Sequence, residues 1–203
     1  SSDTSLDWYD CEIKQLFQDT NIKIVGMEEV NIDIDVIEDG NTFEENAIKK
    51  ATEIMKISNK IVLSDDSGLE IDFLDKKSGV YSARFLGEDT PYSEKNLKVI
   101  EMLKDAPENK RTARFVSVIA VAFPDGRVLT TKGVFEGIIN HLPVGGNGFG
   151  YDPIFFVPEF NMTSAEMSLE QKNKVSHRGK ALIKMKEKLI EEFDYGNEKD
   201  FSN

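Results

Sequence analysis

Cysteine, histidine and long apolar runs are all scarce in this chain. Cys11 is the one cysteine among 203 residues, and two histidines are present. A lone thiol cannot form a disulfide within the chain, so we expect a reducing, cytoplasmic setting. The longest apolar stretch covers residues 115–123 and includes Ser117. Because a membrane-spanning helix needs about 20 apolar residues, we expect no membrane partner.

Positive charge is scarce as well. Lysine and arginine number 25 against 37 aspartates and glutamates, which gives a net charge of −12. Proteins that bind nucleic acid need a basic surface, so nucleic acid is not an expected partner. The first residues are polar and acidic, unlike a signal peptide. Hydrophobic residues make up 39% and charged residues 31%, which is the balance of an ordinary globular domain.

Helical and strand periodicities alternate along the chain. Apolar spacing and helix-start signals predict helices near residues 6–17, 43–55, 91–103 and 176–193. Short strands are predicted at residues 22–25, 61–64 and 69–73, and a long hairpin at 112–123 and 128–139. This order predicts an α/β fold with a mixed central sheet and flanking helices. We expect one domain over residues 11–193, an atypical segment at 1–10 and a frayed tail at 194–203.

Two adjacent acids follow the predicted strand at residues 61–64. Asp65 and Asp66 lead into Ser67 and Gly68, a pattern that predicts a turn at the end of a strand. Strand ends are common ligand sites in α/β folds, and paired carboxylates need a neutralising partner. Mg²⁺ suits such oxygen ligands. A simple turn or helix cap explains the same residues equally well.

A glycine-rich loop and a basic run follow later in the chain. Residues 145–153 carry four glycines with two aromatic residues and an acid, which would let the backbone approach a flat ligand. Residues 172–180 place lysines, a histidine and an arginine at a predicted helix start, which favours an anion. A flexible connection and an exposed basic face remain the plainer interpretations.

The motifs together resemble a known family. They are E-x-G-x-T-F-x-E-N-A at 38–47, S-D-D-S-G-L at 64–69, G-V-Y-S-A-R-F at 79–85, G-F-G-Y-D-P-I-F at 148–155 and K-N-K-V-S-H-R-G-K-A-L at 172–182. In this order they resemble the inosine triphosphate pyrophosphatase family, over about residues 11–193. The resemblance implies hydrolysis of the purine nucleoside triphosphates ITP, dITP and XTP to the monophosphate and pyrophosphate. It also implies Mg²⁺ as cofactor, two lobes around a nucleotide cleft, and a homodimer.

The resemblance also implies roles for individual residues. Asp66 matches the general base and metal-linked carboxylate, Asp65 and Glu38 are supporting metal ligands, and Lys50 is a catalytic lysine in the cleft. The substrate-binding positions implied by the family motifs are Ser67, Phe149, Gly150, Tyr151, Asp152, Lys172, His177 and Arg178. A donor such as Arg178 would favour a purine with a 6-keto acceptor over adenine, which carries an amino group there.

The N-terminus departs from the family pattern. The resemblance implies a first strand and a loop of the form Thr/Ser-x-Asn-x-x-Lys that wraps the triphosphate. Residues 1–10 contain neither asparagine nor lysine. Three interpretations stay open: the N-terminus is altered, the chain binds nucleotides with weakened turnover, or it is a pyrophosphatase for other modified nucleotides.

Overall fold

In a computed structural model of the chain, residues 12–74, 86–87 and 89–200 are described, the last seven by backbone alone. The α-helices that lie within the described ranges are α1 (Phe43–Ser58), α2 (Tyr92–Met102), α3 (Leu169–Val175) and α4 (His177–Asp200). Residues 12–16 are also helical. The strands are β1 (Val62–Ile71), β2 (Thr112–Ala122), β3 (Val128–Ile139), β4 (Phe155–Val157) and β5 (Met162–Thr163). Short 3₁₀ turns lie at Glu28–Val30, Asp72–Leu74, Glu108–Lys110, Asp152–Ile154 and Ser164–Glu166.

The strands form one sheet in the order β1-β2-β3-β4-β5. The α/β class is confirmed, but every pairing in the described part of the chain is antiparallel, where a mixed sheet was expected. Each strand pairs with its successor in the sequence. Residues 22–25, predicted as a further strand, belong to no strand or helix. In the described ranges, no helix is long and apolar enough to cross a membrane.

The two short strands predicted around the paired acids are one continuous strand. β1 runs without interruption through Asp65 and Asp66, and Gly68 pairs with Val116 of β2. The expected glycine turn is therefore wrong. The neighbouring strand β2 offers hydrogen-bonding partners along the whole of β1, and this tertiary pairing overrides the local turn preference of the Asp-Ser-Gly sequence.

The hairpin and the capped helix are confirmed. The β2–β3 turn closes when Phe123 N–H donates to the Arg127 carbonyl, and Gly126 takes a positive φ of 95° there. At the start of α1, Thr42 Oγ1 accepts the N–H of Glu45 at 3.0 Å. The Glu45 carboxylate accepts the N–H of Asn41, one residue before the position of a standard capping box.

Helices cover both faces of the sheet. On one face, apolar residues of α1 pack against β2; they are Phe43, Ala47, Ala51 and Met55 with Val116, Val118, Ala120 and Ala122. On the other face, α4 packs against alternate residues of β2; the buried set is Ala181, Leu182, Met185 and Leu189 with Ile119, Val121 and Phe123. α4 continues to Asp200, so the tail predicted from residue 194 is helical up to that point.

Helix α4 lies unusually close to β3 at its first turn. A Cβ on Gly133 would lie 1.9 Å from the His177 carbonyl oxygen, so only glycine permits this approach. Further along, Lys180, Lys184 and Lys188 donate to carbonyls of alternate β3 residues at 3.2, 2.8 and 2.9 Å. Four helical residues rise about 6 Å and two strand residues about 6.6 Å, so the two repeats match. The lysines therefore protect the outer edge of β3.

Helix α2 buries polar side chains beside its apolar ones. Leu97 is 58% exposed, whereas Lys95, Asn96 and Val99 are buried. The Lys95 ammonium lies 4.6 Å from the ring centroid of Tyr92, which offsets part of its desolvation. The buried face thus follows polar contacts that apolar spacing does not reveal.

Buried Arg111 ties α2 to the end of β3. Its guanidinium donates to the carbonyls of Leu103, Ile139 and Asn140 at 2.9, 2.9 and 3.0 Å. Three carbonyl acceptors satisfy a cation that would otherwise be costly to bury. This clamp fixes the point where the chain leaves β3 and enters the glycine-rich loop.

Candidate active site

The paired acids of β1 face opposite sides of the sheet. Successive strand residues alternate between faces. Ser64 Oγ donates to the Ala47 carbonyl of α1, so the even-numbered residues, Asp66 included, face α1. Asp65 and Ser67 face α4, where Arg178 contacts both of them. The two neighbouring carboxylates therefore belong to different surroundings.

On the α1 face, Asp66 lies beside an ion pair. The Lys50 ammonium contacts the Glu38 carboxylate and also donates to the Asp65 carbonyl oxygen at 3.0 Å. Burial raises the pKa of Asp66 to about 6, and the negative charge of Glu38 adds to this rise while Lys50 opposes it. A carboxyl with this pKa is suited to accept a proton near neutral pH.

On the α4 face, Arg178 lies between two residues of β1. Its Nη2 donates to Ser67 Oγ at 3.4 Å, and its Nε lies 3.8 Å from the Asp65 carboxylate. Burial raises the pKa of Asp65, and the positive charge of Arg178 opposes that rise. Arg178 is thereby held at the first turn of α4 by contacts with the strand.

The three carboxylates expected as metal ligands are divided between the two faces of the sheet. Within the described ranges, no three His, Cys, Asp or Glu side chains are grouped to hold a metal ion. Asp65 is directed to Arg178, whereas Asp66 lies on the α1 side, where the negative charge of Glu38 raises its pKa. Sequence adjacency suggested a shared ion, but strand geometry sends adjacent side chains to opposite faces.

The glycine-rich loop is organised around the Asp152 carboxylate. One oxygen accepts Ser164 Oγ at 2.9 Å, and the other accepts the Phe149 N–H at 3.1 Å and Lys172 Nζ at 3.0 Å. A Cβ on Gly148 would lie 2.2 Å from both Asp152 Oδ2 and Lys172 Nζ, and Gly148 has a positive φ of 78°. The loop therefore has a defined conformation held by hydrogen bonds to Asp152.

The aromatic residues of the loop have different exposures. Phe149 is 72% exposed, whereas Tyr151 is buried and meets Tyr92 edge to face at 5.1 Å between ring centroids. Burial raises the pKa of the Tyr151 phenol. Asn96 Nδ2 donates to the Gly150 carbonyl at 3.1 Å. Phe149 thus presents a ring to solvent, and α2 holds the backbone behind it.

Sequence reasoning missed the contribution of α2. Tyr92 and Asn96 are four residues apart and lie on one side of the helix, where they contact Tyr151 and Gly150. An asparagine among the apolar positions of a helix was the available signal. These residues, with Phe149 and Gly150, also line an open depression of about 390 Å³.

His177 is held as a neutral imidazole. Its ring stacks on Phe115 at 5.4 Å with 15° between the planes. Burial lowers the pKa of His177 to about 3, and the positive charges of Arg178 and Lys180 act in the same direction. At neutral pH this ring can accept or donate one hydrogen bond but carries no charge.

The segment from α3 to α4 joins the two halves of the candidate site. Lys172 contacts Asp152 of the glycine-rich loop, and Arg178 contacts Ser67 of β1. The residues predicted from separate motifs are therefore linked through one short stretch of chain. The G-V-Y-S-A-R-F motif at 79–85 and the atypical N-terminus at 1–10 lie outside the described residues.

Comparisons with known proteins find similar sequences and similar folds. Proteins named dITP/XTP pyrophosphatase from Clostridium perfringens and Caldanaerobacter subterraneus are 47% and 48% identical to this chain. The alignments cover 88% and 90% of this chain, and 90% and 92% of those proteins. The solved structure of a HAM1 protein from Coxiella burnetii has a TM-score of 0.85 and 40% identity, and covers 94% of this chain and 96% of its own.

A second solved structure, the Ham1 protein of Staphylococcus aureus, has a TM-score of 0.82 and 39% identity, and covers 94% of this chain and 95% of its own. The family model described as the Ham1 family matches residues 11–188, which include β1, the glycine-rich loop and the first half of α4. With sequence, fold and site motifs in agreement, this chain belongs to the Ham1 family.

Proposed function

We propose that this chain hydrolyses non-standard purine nucleoside triphosphates (ITP, dITP and XTP) to the monophosphate and pyrophosphate. The names of the similar proteins support this substrate class. The observation that carries the proposal is the placement of Asp66, whose raised pKa of about 6 lies beside the Lys50–Glu38 ion pair. That arrangement combines a proton acceptor with a cation able to contact phosphate.

The reaction needs a divalent cation, and Mg²⁺ fits the donors on the α1 face. Asp66 and Glu38 supply hard carboxylate oxygens, and the negative charge of Glu38 raises the pKa of Asp66, so a cation between them would relieve the repulsion. When bound, Mg²⁺ would neutralise phosphate oxygens and make a water more acidic. Asp65 is left out of this proposed set, because it faces Arg178.

The chemical step assigned to the chain's residues is an in-line displacement. A water oxygen bonds to the α-phosphorus, the bond from that phosphorus to the bridging oxygen breaks, and pyrophosphate leaves with the bonding electrons. Asp66 accepts the proton released by the water. Lys50 would neutralise charge on the phosphates when its ammonium exchanges the Glu38 carboxylate for a phosphate oxygen.

The base end of the substrate is assigned to the glycine-rich loop and the first turn of α4. Phe149 offers an exposed ring for stacking, and Asp152 offers carboxylate oxygens beside Lys172. His177 and Arg178 would close over the purine, where an Arg178 donor favours a 6-keto oxygen. Adenine would leave that donor without an acceptor, which costs binding free energy.

Two further proposals concern assembly and setting. We expect a homodimer in the cytoplasm, as the resemblance and the single cysteine suggest. Exposed apolar side chains near the loop, Leu97, Leu142 and Val144, provide apolar surface that a partner would bury. Sedimentation velocity at micromolar protein concentration tests the dimer; a single monomeric species would contradict it.

The direct test is a panel of nucleotides. Pyrophosphate release is measured with ITP, XTP, ATP, GTP and modified pyrimidine triphosphates in the presence of Mg²⁺. We expect ITP and XTP to be preferred, and Asp66→Asn to lose at least about 10²-fold in turnover while keeping its melting temperature within a few degrees. Preference for another nucleotide, or near-full turnover by Asp66→Asn, would contradict the proposal.

A further inference from the structure

Asn46 occupies a position that helix capping does not explain. It lies in the first turns of α1, it is 1% exposed, and it points to the sheet face that carries Asp66. Its Oδ1 accepts the N–H of Gly40 at 2.7 Å. Because a backbone N–H must meet an oxygen, this bond fixes which end of the amide is oxygen and which is nitrogen.

The nitrogen end of this amide has no hydrogen bond of ordinary geometry within the described residues. It is also close enough to the Asp66 carboxyl to stabilise the ionised form. A buried amide donor without an acceptor destabilises the folded protein, so its retention needs a reason. The Asp66 carboxylate, with which the Asn46 side chain interacts on this face of the sheet, supplies that reason.

The oxygen end of the amide leads to the other proposed metal ligand. Gly40 follows Glu38 by two residues, and a Cβ on Gly40 would lie 2.7 Å from Asn46 Oδ1. The segment is thus held tightly against α1. One side chain therefore touches both chain segments that carry the carboxylates of the α1 face.

We propose that Asn46 is a positioning residue that fixes the Glu38 segment through Gly40 and orients the Asp66 carboxylate with its Nδ2 hydrogens. This inference rests on the proposed function, since it assigns Asn46 to support the proton acceptor. A role limited to Gly40 is the competing explanation. The first explanation requires the Nδ2 donor of Asn46 for activity, whereas the second requires only its Oδ1 acceptor.

Kinetic variants separate the two roles. Asn46→Asp keeps an acceptor for Gly40 and the side-chain size but loses the donor, whereas Asn46→Ala loses both. The control Asn41→Asp adds the same charge to the same segment at an exposed position. We expect kcat for ITP to fall at least about tenfold in both Asn46 variants, with Asn41→Asp within about twofold of the native enzyme. Turnover of Asn46→Asp within about threefold of native would overturn the inference.

A double-mutant cycle supplies a readout that needs no substrate. Urea unfolding is measured for the native protein, Asn46→Ala, Asp66→Ala and the double variant. Asn46→Ala multiplies the unfolding constant by some factor in the native background. We expect this factor to be at least about threefold smaller in the Asp66→Ala background, since the contact between the two side chains is already lost there. Additive effects would overturn the inference. If Asn46→Ala does not fold, Asn46→Asp takes its place in the cycle.

The two experiments also separate this inference from the proposed function. A native enzyme that releases no pyrophosphate from ITP would refute the function, and with it the catalytic purpose of Asn46. The unfolding cycle would still decide whether Asn46 holds Asp66. An active native enzyme with additive unfolding effects would instead leave the function standing and refute the inference alone.

Discussion

Replacing Gly133 by alanine offers a test of how the fold positions the site. Gly133 lies in β3 and is not among the residues assigned to the substrate. An alanine Cβ there would lie 1.9 Å from the His177 carbonyl oxygen and 2.9 Å from the Ala181 nitrogen. To reach an ordinary contact of about 3.4 Å, the start of α4 must withdraw by about 1.5 Å.

That displacement would move His177 and Arg178, the two residues of α4 assigned to the purine. Arg178 is at the first turn of α4, and its bond to Ser67 Oγ is already 3.4 Å long, so a further 1.5 Å would break it. A misplacement of about 1 Å can cost about 10² in rate. Overpacking of this kind costs about 1–3 kcal/mol of stability, which in a domain of this size lowers the melting temperature by roughly 2–12 °C.

The assay compares Gly133→Ala with the control Lys132→Ala. Lys132 is an exposed neighbour on the same strand, and its truncation to alanine creates no steric overlap. We expect kcat/KM for ITP to fall about 100-fold in Gly133→Ala and to change less than threefold in Lys132→Ala. A folded Gly133→Ala enzyme with native turnover and native melting temperature would refute the argument that this glycine sets the position of α4.

Three further predictions follow from charges at the site. Because protons and Mg²⁺ compete for Asp66, whose pKa is raised to about 6, the affinity for Mg²⁺ should fall below pH 6 by up to about tenfold per pH unit; a pH-independent affinity in calorimetric titrations would contradict this. The pKa of His177 is lowered to about 3 in the folded chain, against about 6.5 in the unfolded chain. Between these two pH values, the unfolded chain binds a proton at His177 and the folded chain does not. Native stability should therefore fall relative to His177→Gln as pH drops from 6.5 toward 4, by up to about 1.4 kcal/mol per pH unit, and parallel urea curves for the two proteins would exclude it. Arg178→Ala should lower the ratio of kcat/KM for ITP to that for ATP at least about tenfold, and an unchanged ratio would show that Arg178 does not read the 6-position.

Local signals in the sequence located the regular elements well. The Thr42 cap predicted α1, and Pro124-Asp125-Gly126 predicted the β2–β3 turn, because both features act within a few residues. The same local reasoning placed a turn at Gly68, where β1 continues. Pairing with β2 decided that point, and a partner some 50 residues away leaves no mark on the local pattern.

The motifs named candidate residues for the site but did not predict how these residues contact one another. The motifs named Asp66, Lys172 and Arg178, yet their contacts with Glu38, Asp152 and Ser67 depend on how helices pack on the sheet. The support from α2 through Asn96 was missed for the same reason. Its partner is a backbone carbonyl in the distant loop, which has no sequence signature.

The alternation of β1 explains how two adjacent acids can serve different parts of one site. Asp66 faces α1 and its Lys50–Glu38 pair, which suits the phosphate chemistry, whereas Asp65 faces α4 and steadies Arg178, which suits recognition of the base. A single strand therefore fixes the spacing between the two functions. On this view Asp65→Asn should loosen Arg178 and reduce discrimination between ITP and ATP while sparing turnover, which is the reverse of the loss expected for Asp66→Asn. Steady-state kinetics of the two variants with both nucleotides would check this, and equal losses of turnover would show that the acids act together after all.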